Sequence, residues 1–179
     1  FLDRRGEGLF ALMLEAPVPD DEAAELAERG LNIMPLMRGA FGRDVHPSST
    51  HGVLIRVYPV NSFDTPYKGP SDNSGAPKLS GIVRVMIAVE DLDHARTVYG
   101  EQLGMPMDDS VDREADKQRG VRSAICQPPT GGAIELLEVE DASRPLGHSI
   151  ANFLSTRREG MYALALESPT LPGPARALA

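Results

Sequence analysis

The stretch GIVRVMIAVEDLDHARTVYGEQLGM (residues 81–105) changes periodicity halfway along. Residues 81–90 are rich in β-branched and aliphatic side chains, the signature of a strand. Asp91 then stands where a helix wants an N-cap, and Leu92, Ala95, Tyr99 and Leu103 fall on one helical face. Gly104 ends that helix by taking a left-handed cap conformation. Working outward, VDREADKQRG (111–120) is polar and reads as a solvated loop or strand edge. GVRSAICQ (120–127) is a strand, PPTGG (128–132) a turn, and AIELLEV (133–139) the closing strand. The unit at 81–140 therefore runs β-α-β-β-β.

The same order precedes it. GLFALMLEA (8–16) reads as a strand, and Asp20, Asp21 and Glu22 supply the acids that favour a helix N-terminus. The helix EAAELAER stops at Gly30, LNIMPLM and RDVHP follow as short strands, and GVLIRVYPV (52–60) closes a unit at 1–60. Residues 61–80 contain 14 Pro, Gly, Ser, Asn, Asp or Thr and read as a linker.

A repeat ties the ends of the chain together. FLDRRGEGLFALMLEAP (1–17) and FLSTRREGMYALALESP (153–169) align without a gap, with 10 of 17 positions identical, at an offset of 152 residues. Residues 141–179 thus read as a helix, a strand and the start of a helix of a further, truncated module. The expectation is a piece of a longer tandem protein.

Composition excludes several classes. Eighteen basic against 26 acidic residues give a net charge of −8, with no basic stripe to neutralise phosphates, so nucleic acid is not an expected partner. No stretch approaches the about 20 apolar residues of a membrane span, and no charged-then-apolar leader is evident. A single cysteine, Cys126, lies in an apolar run and allows no disulfide framework, so it reads as core packing in a reducing, cytoplasmic setting.

These residues resemble the vicinal oxygen chelate superfamily, which includes glyoxalase I, extradiol dioxygenases, bleomycin-resistance proteins and methylmalonyl-CoA epimerase. The stretches that carry the likeness are GIVRVMIAVEDLDHARTVYGEQLGM, GGAIELLEV, SIANFLSTRREGMYALALE and HPSSTHGVLIRVYP. HPSSTHGVLI and IANFLSTRREG are most similar to the epimerase. The resemblance implies an α+β fold of paired βαβββ modules with cup-shaped mixed sheets. It also implies a divalent metal in each cup, held by residues of the first and last strands of each module.

Here the implied ligand pattern departs residue by residue. The first-strand histidine corresponds to Arg84, the second histidine to Ala11 in one copy and Ala163 in the other, and the closing-strand carboxylate to Arg56. Only Glu135 remains as a ligand. A guanidinium offers donors only and cannot ligate a cation. No metal or other cofactor is therefore expected, a divalent metal being the alternative. The candidate ligand-binding residues are Arg56, Arg84 and Glu135, with Tyr58, Met86, Leu54 and Met13 as apolar walls by strand alternation. Consecutive modules share a cup in the family, so Arg56 and Arg84 are open to lining different cups.

The leading expectation is a metal-free binder of a small organic molecule, anionic or carboxylate-bearing, as in the bleomycin-resistance branch. Two alternatives stay open. One is a lyase, epimerase or dioxygenase whose metal-bearing half lies outside this chain. The other is a non-catalytic module in which Arg84 pairs with Glu135 to fill the cup. A homodimer formed by module exchange is expected, because sheet edges need covering. His46, His51, His94 and His148 read as surface or turn residues, His46 being the one that the PSST turn brings nearest a cup rim. Gly131-Gly132 reads as a hairpin turn, Tyr99 and Tyr162 as core, and no nucleophile-base arrangement is evident.

Overall fold

The computed structural model describes residues 8–36, 39, 41–62, 81–108 and 110–167. Most of the linker expected at 61–80, and the helix start expected after residue 167, lie outside the described residues.

The second group of elements has the four strands of the β-α-β-β-β order, with an added helix, and the first keeps three of its four strands. β1 (Ala11–Ala16), α1 (Pro19–Glu28), β2 (Arg43–Val45) and β3 (Leu54–Pro59) form the first group. The second comprises β4 (Gly81–Ala88), α2 (Leu92–Arg96), β5 (Met107–Asp108), α3 (Arg113–Arg119), β6 (Val121–Cys126) and β7 (Ala133–Val139). Helix α4 (Pro145–Arg157) and strand β8 (Gly160–Glu167) complete the described chain. Among the described residues of LNIMPLM, 31–36, there is only an isolated bridge, Ile33 to Val45, where a strand is expected.

Two mixed sheets result, ordered β1-β3-β2 and β5-β6-β7-β4-β8. In each, the first strand of the module runs parallel to the last: β1 beside β3 with Met13 opposite Arg56, and β4 beside β7 with Met86 opposite Glu135. Parallel neighbours require a crossover, and α1 and α2 open those connections. This is the paired βαβββ architecture. β8, the sequence equivalent of β1, pairs antiparallel with β4, not with β3.

Alternation splits each strand between two environments. Ile55 and Val57 of β3, Val85 and Ile87 of β4, Ile134 and Leu136 of β7, and Cys126 of β6 enter one continuous core with Leu26 of α1 and Leu92, Ala95 and Tyr99. The intervening residues point to the opposite faces, where the candidate site residues lie. A smaller apolar cluster under α4 joins Ala88, Val121, Leu137 and Ile150, with Met86, Phe153 and Tyr162 packed on it.

Two local readings are corrected. The helix read over 92–104 is α-helical only to Arg96 and continues as a wider π turn over Thr97–Gln102, in which the Leu103 amide reaches back to the Val98 carbonyl at 2.8 Å. Tyr99 is thereby fully buried, and its hydroxyl donates to the Thr50 carbonyl at 3.2 Å. The segment 111–120 is helix α3, not a loop or strand edge. Asp112 caps it by accepting from the Glu114 and Ala115 amides at 3.0 and 3.1 Å, and Gly120 ends it at φ +81°. Its polarity misled because Asp116 is buried, where Arg119 and the Ser123 amide and hydroxyl satisfy it.

Candidate functional site

The structure distributes the candidate residues over both sheets. Met13, Leu54, Arg56 and Tyr58 lie on the face of the three-stranded sheet turned away from the core, while Arg84, Met86 and Glu135 lie on the corresponding face of the five-stranded sheet. The apolar walls are divided in the same way, and Met13 is largely exposed.

On the three-stranded sheet, β2 places Asp44 directly opposite Arg56. The guanidinium grips that carboxylate with two parallel bonds, Nε to Oδ1 at 2.6 Å and Nη2 to Oδ2 at 2.7 Å. This hydrogen bonding raises the Arg56 pKa further above its already high ordinary value, against the opposing effect of burial. The arginine in the middle of β3 thus has its counter-ion one strand away. Asp44 was hidden in the sequence because RDVHP gives no sign of which face its residues take.

On the five-stranded sheet, Glu135 is 1 % exposed and lies between two guanidiniums. Arg84 Nη1 donates to Oε2 at 3.0 Å, and Arg119 Nη2 donates to Oε1 at 3.2 Å. Arg119 also donates to Asp116 Oδ1 at 2.6 Å, and the other oxygen of Asp116 accepts from the Ser123 amide and hydroxyl at 2.9 and 2.7 Å. Burial acts to lower the Arg119 pKa, but its bonds to Asp116 and Glu135 outweigh that and raise it. Two acids and two arginines therefore compensate one another in a low-dielectric setting. Arg84 and Arg119 keep 36 % and 37 % of their side chains in solvent, whereas Glu135 and Asp116 keep 1 % and 3 %. Arg119 and Asp116 carry no local signal of a site, because the polar run 111–120 has no apolar helical stripe.

The donor set does not suit the divalent metal that the family resemblance implies. Both Glu135 oxygens already accept from guanidiniums, and Arg84 and Ala163 stand at the imidazole positions. Among the described residues, no group of three or more His, Cys, Asp or Glu is placed to hold a metal ion.

The histidines at the PSST turn differ in burial. His46 stays local, its Nδ1 accepting from the Ser48 amide at 3.1 Å, and His51 is a turn residue that is buried. Its Nδ1 lies 2.7 Å from Glu159 Oε1 and its Nε2 lies 3.0 Å from His94 Nδ1. Glu159 also accepts from the Glu90 amide at 2.8 Å, so this chain ties the turn before β3 to the start of β8 and to the loop before α2. Cys126 is core, as expected: burial pushes its thiol pKa up to about 12. Tyr162 packs edge-on against Phe153 with ring centroids 5.4 Å apart.

No protein-family model matches the chain, and no curated protein does. Among solved structures, methylmalonyl-CoA epimerase from Mycobacterium tuberculosis is 32 % identical over 51 % of this chain and 57 % of its own, with a TM-score of 0.42. A Streptomyces coelicolor methylmalonyl-CoA epimerase variant, in complex with 2-nitronate-propionyl-CoA, is 26 % identical over 50 % of this chain and 62 % of its own, with a TM-score of 0.39. TioX from Micromonospora sp. ML1 is 15 % identical over 74 % of this chain and 99 % of its own, with a TM-score of 0.44. The chain thus spans less than two thirds of the length of these two epimerases.

Proposed function

We propose that this chain, whose βαβββ-like modules resemble those of the vicinal oxygen chelate superfamily, binds a small organic carboxylate at the arginine-lined face of its five-stranded sheet, without a metal. One observation carries the reading: Glu135, the remaining carboxylate of the implied metal site, is buried between two guanidiniums, so side-chain charge takes over the part of a cation. Arg84 contributes a partly solvent-facing guanidinium, and a planar fork of N–H donors matches a carboxylate. Met86 supplies apolar surface beside it.

A second reading is favoured by the two-point Arg56–Asp44 pair, which is the arrangement expected of a filled, purely structural sheet face. Calorimetric titration with acetate, malonate and succinate at low salt separates the two. Saturable binding that weakens at least tenfold in Arg84→Gln supports the binder. Heatless titrations with all three leave the structural reading, and stoichiometric tight binding of a divalent metal would overturn the metal-free one.

A further inference from the structure

A pair of histidines links the first group of elements to the second, away from both arginine-bearing faces. His51 lies in the turn before β3 at φ +51° and is 7 % exposed. His94 stands in α2 and is exposed. Their ring centroids are 4.9 Å apart with the planes tilted by 60°, and His51 Nε2 lies 3.0 Å from His94 Nδ1. The other nitrogen of His51 meets Glu159 Oε1 at 2.7 Å, and that same oxygen accepts from the Glu90 amide.

The end of this chain fixes where its protons sit. An ionised carboxylate only accepts, so the hydrogen of the Glu159 contact belongs to His51 Nδ1. The 3.0 Å gap between the two rings then holds a single hydrogen. With both rings neutral, His94 Nδ1 donates to His51 Nε2. With one proton added, His51 as an imidazolium donates to Glu159 and His94 together, and the contact is kept. With a second, an N–H on each ring points at the other and two positive charges meet. No tautomer relieves this, because a protonated imidazole has no lone pair left to accept with.

The neighbours leave the two rings to settle that conflict between themselves. Glu159 faces His51 from the entry to β8, and Asp91, at the head of α2, lies within electrostatic reach of both rings. Asp93 is turned to Arg122, and His46 is engaged by Ser48. Tyr99, packed under the same turn, is kept a neutral phenol by burial and donates to the Thr50 carbonyl. We propose that His51 and His94 form a pH-operated clasp between the turn before β3 and helix α2, closed by up to one added proton and opened by the second. The exposed ring is the one free to leave, so His94 swings into solvent while Glu159 retains His51. Acid therefore frees the turn from α2 and leaves its tie to the entry of β8.

Imidazole nitrogen NMR of the full chain, titrated from about pH 8 to about pH 5, reads the protonation of each ring, and ring-to-ring nuclear Overhauser contacts read the clasp. The contacts should vanish as the second ring becomes doubly protonated. Contacts that persist with both rings charged overturn the clasp, and so does a pair that still shares one proton at the acid end. Amide exchange, corrected for the intrinsic effect of pH, supplies a second readout at Gly52 and Val53, whose amides bond to the Pro47 and Thr50 carbonyls within the turn. Their protection should fall about threefold or more over that range in the unaltered chain. It should stay level in His94→Asn, whose side-chain amide takes the place of Nδ1 and does not titrate, and should be low throughout in His94→Ala. His94 is exposed, so both variants spare the core. An equal fall in His94→Asn assigns the change to another group and overturns the proposal. Loss of Glu90 amide protection in step with Gly52 does so too, since it marks protonation of Glu159 instead.

Discussion

At the scale of single residues, Glu135 shows how a site can keep a residue and change its chemistry. Its carboxylate is inaccessible to water and compensated by Arg84 and Arg119, so removing it strands two guanidiniums. Glu135→Ala should destabilise the fold by about 3 kcal/mol, the cost of breaking one partner of a buried pair. Arg84→Gln should cost much less, because Arg84 is partly solvated and Arg119 still holds the carboxylate. Urea denaturation of the two variants gives the comparison. Cys126 makes a second residue-level case. With its thiol pKa pushed up to about 12 by burial, it should resist iodoacetamide in the native protein at pH 8 and react once urea unfolds the chain. Arg84 and Glu135 were legible as a pair because both lie at positions that the family resemblance marks. Asp44, Asp116 and Arg119 were not: the partner of a buried charge is set by register between strands, or by a helix packed over them, and neither has a local signature.

At the scale of elements, α3 is where sequence and structure part. Its apolar content is too low for a helical stripe, and its stability comes from its ends and its inward charges. Asp112→Ala should cost about 1 kcal/mol through loss of the N-cap. Gly120→Ala should cost about 1–3 kcal/mol through its positive φ alone, and more because a Cβ there would meet the Asp141 carbonyl and the Arg144 side chain. Both are measurable as shifts in denaturation midpoint. The N-cap of α2, by contrast, was visible in the sequence: Asp91 accepts from the His94 amide at 2.9 Å. That bond holds the Asp91 carboxyl below its ordinary pKa, and bonds from Ser110 and Ser143 do the same for Asp108 and Asp141. Each folded-state pKa lies below the unfolded one. Their stabilising contribution is therefore present above the ordinary value near 3.8 and is lost as pH falls through the lower folded values. Thermal midpoints should decline below about pH 4, and less steeply in the triple Asp→Asn variant.

At the scale of the whole molecule, the β-α-β-β-β order of the second module and three of the four strands of the first were legible from periodicity and turn residues, since each strand faces a core on one side and alternates accordingly. The division into two sheets was not. Ten identities in 17 positions reveal that β1 and β8 are equivalent, but no local signature says that β1 pairs with β3 and β8 with β4. Among the described residues, no helix is long and apolar enough to cross a membrane. The whole-chain prediction is that Gly52→Ala, which would push the Glu159 backbone away, loosens β8. It should speed amide exchange in β8 more than in β6, as hydrogen-deuterium mass spectrometry would read.

The order of the five-stranded sheet also bears on how the protein is made. β4 is flanked by β7 and β8, which lie about 50 and 80 residues later in the chain, and has no earlier partner. As the polypeptide leaves the ribosome, β4 emerges with both edges bare and must wait for distant segments before it can pair. Long-range closures of this kind are slow and leave strand edges open to aggregation in the interval. Nascent chains stalled before residue 160 should therefore engage chaperones through residues 81–88, and release from them should coincide with the appearance of β8.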